Sequence, residues 1–315
     1  MSDERFLVTG SSGCIGAWTL KELRGQGTAV VGLDLDPDPR RFRAIAGDKA
    51  SAELTLVAGD ITDVEVLGRT IDEHEITHVI HLAALQVPFC RADPALGAAV
   101  NVVGTINVFE AVRDRLDRVR GLSYASSAGK YSQASTKAAA VDEDHLPSPS
   151  TLYGVYKQAN ESSATVYWAD HQVPSVGLRP YVVFGPGRDQ GVTAAPTLAT
   201  EAAVRGEKYH IPYGGGLVLH YARDMAQAFI LASRSATEGA HAFNLPGTEI
   251  EVAGVIDAVS AELPQAAELI TFDPDPLPFP PRLAHGGFNH TIGPCPVTPL
   301  DQMISETVAH FCATS

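Results

Sequence analysis

An apolar run at Phe6–Thr9 leads straight into Gly10-Ser-Ser-Gly13-Cys14-Ile15-Gly16, and a helical pattern opens at Ile15 and runs to Arg24. No other feature restricts the fold as much. A first glycine permits a tight turn, a second lets backbone approach a diphosphate, and a third packs the helix against the strand. The helix start then presents free N–H groups and the positive end of its dipole. In this strand–turn–helix setting the glycines, with Cys14 and Ile15 between them, predict a dinucleotide site. The alternative is a glycine-rich turn that binds nothing.

The pattern continues through the first half. Strand candidates are Ala29–Asp34, Leu54–Ala58, His78–Leu82, Val119–Ala125 and Ser175–Val183. Helix candidates are Val64–Glu73, Ala95–Arg115 and Thr151–His171. Such alternation predicts an α/β fold, a doubly wound parallel sheet of Rossmann type with helices on both faces. The rhythm breaks after Arg179. Turns follow at 185–187 and 214–216, helices at Asp224–Ser233 and Pro299–Phe311, and Asp273–Pro281 carries too many prolines for a helix or inner strand.

Asp34 ends the second strand candidate, where a carboxylate accepts hydrogen bonds from a ribose and repels a 2′-phosphate; this favours NAD over NADP. Arg40 and Arg41 follow closely and keep NADP open, although they read more simply as solvated charges at a helix start. Asp34, Asp36 and Asp38 do not make a calcium loop, because Pro39 and Ile45 occupy the positions of its glycine and closing glutamate. Asp60 and Ile61 end the third strand beside the expected adenine, with an N-cap or turn role as the alternative for Asp60. Leu82, Ala83 and Ala84 end the fourth, where small residues suit backbone passing close to a cofactor. His81 reads as a packed strand residue.

Tyr153 and Lys157 stand four apart on one helix face. An ammonium beside a phenol lowers its pKa toward working pH, so the tyrosine can exchange a proton with an alcohol or ketone while hydride moves to or from nicotinamide. Ser127, at the end of the fifth strand, can hydrogen-bond a substrate oxygen as charge develops on it.

With 37 acidic and 23 basic residues the net charge is −14, which disfavours nucleic-acid binding. Beyond residue 235 the only Lys or Arg is Arg282, which disfavours a basic membrane-binding patch there. Cys14, Cys90, Cys295 and Cys312 are scattered, so neither a metal site nor a disulfide framework is expected. No apolar run approaches the roughly 20 residues of a membrane span. The expectation is a reduced, soluble, cytoplasmic protein.

The segments 9–16, 33–36, 59–63, 81–84, 101–108, 126–131, 153–157, 178–187 and 220–226 together resemble the extended short-chain dehydrogenases/reductases, the NAD-dependent epimerase/dehydratase family. The resemblance covers most of the chain. It implies that Ser127, Tyr153 and Lys157 are catalytic, with Lys157 also holding the nicotinamide ribose, and that Asn101 lies near the active-site helix in the cofactor set. It implies an NAD-binding domain over 1–180 with a return segment near 217–245, and a smaller substrate-binding part from 181–216 and 246–315. It also implies a homodimer through helices 95–115 and 151–171.

Departures from the family pattern bear on the substrate. Ala128 and Gly129 stand where dehydratases carry Asp-Glu. Val182 replaces an asparagine of the nucleotide-sugar epimerases, and Leu217 or Val218 replaces their diphosphate-binding arginine. Arg188 or Arg205 is left to compensate. Lys130 is unusual beside the catalytic strand, and meets either a substrate anion or solvent. Gln86, Tyr181 and Arg188, with Ser127, are the expected substrate contacts. The sequence therefore points to an NAD-dependent oxidoreductase acting on a secondary alcohol of a small sugar or sugar acid. A sugar or nucleotide-sugar epimerase, and a non-catalytic NAD-binding protein, are the alternatives.

Overall fold

The computed structural model describes residues 3–132 and 140–314. Its largest sheet has seven strands, all parallel, in the order β10-β6-β5-β4-β1-β2-β3. These are β1 (Arg5–Thr9), β2 (Ala29–Asp34), β3 (Thr55–Ala58), β4 (His78–His81), β5 (Gly121–Ala125), β6 (Ser175–Arg179) and β10 (Ala240–Asn244). The chain winds outward from β1 in one direction and then from β4 in the other. A crevice therefore forms at the strand carboxyl ends between β1 and β4, where such sheets bind ligands.

Strand periodicity explains the layering. Phe6 and Val8 point to one face and Leu7 to the other, and all three are fully buried. The first face is covered by helices Cys14–Gly25 and Ala222–Arg234, through Trp18, Leu20, Leu23, Met225 and Phe229. The second is covered by Val64–Glu73, Gly104–Arg113 and Leu152–His171, through Leu67, Ile71, Phe109, Val112 and Ala164.

The strand expected over 175–183 is two strands. Pro180 has no N–H to donate, and the chain leaves the large sheet there. It resumes as β7 (Val182–Phe184) in a three-stranded sheet with β9 (Gly216–Tyr221) and β11 (Thr248–Glu251). Strands β8 (Tyr209–Ile211) and β12 (Ile270–Phe272) pair beside it, over a separate apolar core. Of the expected return segment near 217–245, the helix and β10 join the large sheet while β9 stays with the small one.

The helix expected over 95–115 runs from Pro94 to Arg113, with a π turn at Ala99–Val103. By length and composition it is apolar enough to cross a membrane, at a mean hydropathy of 1.5 over its most apolar stretch, contrary to the expectation that no run comes close. Its buried side packs on the parallel sheet through Val108, Phe109, Ala111 and Val112.

Candidate active site

The turn after β1 is shaped by close approach. Gly10 has φ +70°, and a β-carbon on it would lie 2.5 Å from the Ala83 nitrogen at the end of β4. The turn therefore closes only with glycine at 10, because the atoms it meets are the backbone of Leu82 and Ala83. Gly13 caps the helix Cys14–Gly25 with extended backbone and no capping side chain, so the N–H groups of the first turn remain free. Gly13, Cys14, Ile15 and Gly16 line a cavity of about 700 Å³ that runs along the strand ends.

At one end of the cavity Asp34 accepts a hydrogen bond from the Ser12 N–H at 2.9 Å, and Asp60 holds the Thr62 N–H at 2.8 Å with one oxygen. Both line the cavity, as do Ile61, Leu82, Ala83 and Ala84. Asp60 thus fills the turn role the sequence allowed it while facing the site. Arg41 is not a solvated charge. Its guanidinium donates to the Ser12 carbonyl at 2.7 Å and to both oxygens of Asp189.

At the other end stand Ser127, Tyr153 and Lys157. Thr151 caps their helix by accepting from the Gly154 N–H at 3.1 Å. Gly154 lies so close to the Gly129 carbonyl that a β-carbon would collide with it. This contact draws the helix start onto the backbone after Ser127, so that the Ser127 hydroxyl and the Tyr153 ring both stand beside Gly129. Lys157, one turn on, donates to the Ala125 carbonyl at 2.7 Å, with its Nζ 5.5 Å from the centre of the Tyr153 ring.

The electrostatics differ from the sequence expectation. Burial pushes the Tyr153 phenol up, opposed by the nearby Ser127 hydroxyl and by the Arg188 charge. Lys157 is buried too, which lowers its pKa to about 8. In this structure desolvation, not the lysine, governs the tyrosine.

Asn101 lies behind the cavity. Its amide accepts from the Leu85 N–H at 2.7 Å, and donates to the Leu85 carbonyl at 2.9 Å and to the Cys90 sulfur. It fixes the chain between β4 and the helix Val87–Ala92. His81 is packed in the core, as expected. The Thr105 hydroxyl donates to the Asn101 carbonyl and so accepts from His81 Nε2, leaving Nδ1 to accept from Thr9. Burial lowers its pKa to about 3.

Gln86, Tyr181 and Arg188 line the cavity beyond Ser127, beside Thr193 and Phe279. Arg188 gives one Nη to the Thr193 hydroxyl at 2.8 Å, and its buried Nε has no protein partner. The Tyr181 hydroxyl is also buried without a partner. Arg205 instead pairs with Glu201 on its own helix. Val182, Leu217 and Val218 are all in the core, so no charge stands where the epimerase pattern has one.

Neither expected role of Lys130 holds. It is buried and donates to Glu161 at 2.7 Å. The same carboxylate accepts two bonds from Arg179, at 2.8 and 2.9 Å, and one from Ser126. Glu161 ties the end of β6 and the serine turn to the helix Leu152–His171. No motif marks it in the sequence, though its four-residue step from Lys157 places it on the same inward face.

The sequence model of the NAD dependent epimerase/dehydratase family matches residues 6–245. A UDP-glucose 4-epimerase of Mycolicibacterium smegmatis is 32% identical over 285 residues, covering 89% of this chain and 87% of that protein. The chain belongs to the NAD dependent epimerase/dehydratase family. Its cofactor is NAD, which the glycine cradle, the free helix N–H groups and Asp34 all fit. A UDP-glucuronate 4-epimerase of Arabidopsis thaliana is 31% identical over 57% of this chain but only 42% of its own length, so the match spans less than half of that relative. Among solved structures, the Thermus thermophilus UDP-glucose 4-epimerase in complex with NAD is 25% identical, with a TM-score of 0.79 over 99% of this chain and 100% of that one.

Proposed function

We propose that this member of the family is an NAD-dependent oxidoreductase acting on a secondary alcohol of a small polyhydroxylated substrate, a sugar or sugar acid. The observation that carries this reading is that Ser127, Tyr153 and Lys157 line the same cavity as the Gly10–Gly16 turn. NAD, when bound, accepts the hydride. Tyr153 takes the hydroxyl proton as general base. Ser127 holds the substrate oxygen, and the Lys157 ammonium, at the base of the pocket, holds the nicotinamide ribose. The unpaired Nε of Arg188 supports an acidic group on the substrate.

One specific observation favours a second reading: the 32% identity to a UDP-glucose 4-epimerase along 89% of the chain supports an epimerase that returns the hydride to the other face. The apolar residues at 182, 217 and 218 weigh against a nucleoside diphosphate there. The smaller sheet and the C-terminal segment form the substrate-binding part in this reading. Leu96, Val103, Leu152, Val155 and Val166 are exposed on the helices Pro94–Arg113 and Leu152–His171, which supports a homodimer through these two helices. The test follows NADH formation at 340 nm over free sugars, sugar acids and nucleotide sugars, with product analysis. Net NADH from a free sugar or sugar acid supports the first reading; an interconverted nucleotide sugar without NADH overturns it in favour of the second.

A further inference from the structure

The turn Gly185–Gly187 leaves the smaller sheet and crosses to the nucleotide end of the large one. Trp18 Nε1 donates to the Pro186 carbonyl at 2.9 Å and pins the turn there. Positive φ at Gly185 and Gly187 lets the chain double back so that Asp189 meets Arg41. All three guanidinium nitrogens of Arg41 are then engaged. Nε and Nη2 lie on the Asp189 carboxylate at 2.7 to 3.2 Å, and Nη1 lies on the Ser12 carbonyl at 2.7 Å. The N–H of that same Ser12 is held by Asp34. The guanidinium therefore sits one residue from the carboxylate expected to face the adenosine ribose, with its donors turned elsewhere.

We propose that Asp189 is a determinant of cofactor choice, keeping Arg41 from taking the 2′-phosphate of NADP. A planar guanidinium beside the ribose is the group that recognises such a phosphate in bidentate fashion. Here it is occupied by a carboxylate contributed from the opposite half of the chain. The local charges add to the effect. Asp34, Asp36, Asp38 and Asp189 oppose Arg40 and Arg41, so this corner carries net negative charge against a dianionic group.

The pair is partly exposed, with side-chain exposures of 14% for Arg41 and 39% for Asp189, so breaking it costs little stability. The experiment measures NADH and NADPH dissociation constants by calorimetry on the full chain, as wild type, Asp189→Asn, Asp189→Ser and Asp189→Asn with Arg41→Met. Releasing Arg41 raises the NADPH-to-NADH affinity ratio about tenfold, the weight of one charge-assisted hydrogen bond, in both single variants. The double variant returns to the wild-type ratio. A ratio that moves less than about threefold in both single variants overturns the proposal, as does a gain that survives removal of Arg41.

Discussion

Replacing Glu161 by glutamine removes the one carboxylate that two buried cations share. The Glu161 side chain is 8% exposed, Lys130 5% and Arg179 4%, so water cannot take the carboxylate's place. Burial alone would raise the Glu161 pKa, but the hydrogen bonds and charges of Arg179 and Lys130 outweigh it and hold the carboxyl below its usual range. Breaking such a buried pair costs about 3–5 kcal/mol, because it strands uncompensated charge. At about 2.1 cal/mol/K per residue, 315 residues give an unfolding entropy of about 0.66 kcal/mol/K. Glu161→Gln therefore lowers the melting temperature by about 5–8 °C at pH 7.5, read by circular dichroism. Adding Lys130→Met, which removes one of the two stranded cations, recovers part of the loss. A drop below about 1.5 °C, the size expected of a surface pair, refutes the reasoning.

Three further outcomes follow. Gly10→Ala forces a β-carbon onto the Ala83 backbone at positive φ; it destabilises the fold by about 2 kcal/mol or more and abolishes NADH binding in calorimetry, and unchanged NADH affinity contradicts the cradle. His81 and His220 are buried neutral, with burial lowering their pKa values to about 3 and about 4. The unfolded chain gains these protons first as pH falls below about 6.5, so urea-measured stability is full above that pH. It declines by about 1.4 kcal/mol per pH unit for each histidine on the way down, and a flat profile from pH 7 to 4.5 refutes the assignment. Arg188→Met raises KM about 10- to 100-fold for a substrate that carries a carboxylate and changes little for a neutral sugar; equal effects on both remove Arg188 from substrate recognition.

The fold was largely legible because its signals are local. Strands of the large sheet read as apolar runs, and the glycine turn fixes where the first helix begins. The site was legible where it follows from spacing along one element, as with Tyr153 and Lys157. What escaped the sequence depends on partners distant along the chain. Lys130 meets Glu161, 31 residues away, and Arg41 meets Asp189, 148 residues away; no local pattern encodes either pair. The resemblance implies a place for Asn101 in the cofactor set; the contacts of its amide with Leu85 and Cys90 follow from the turn after β4 and not from any local pattern. The break at Pro180 was visible as a proline, but only the second sheet explains why an apolar run continues beyond it.

In the proposed reaction Tyr153 moves the proton while NAD takes the hydride. The most direct measurement compares wild type with Tyr153→Phe, in NADH formation at 340 nm on an identified substrate and in NADH binding by calorimetry. Tyr153→Phe is expected to lose at least about a hundredfold in kcat and to keep its NADH affinity. A variant that binds NADH and turns over at the wild-type rate contradicts this role.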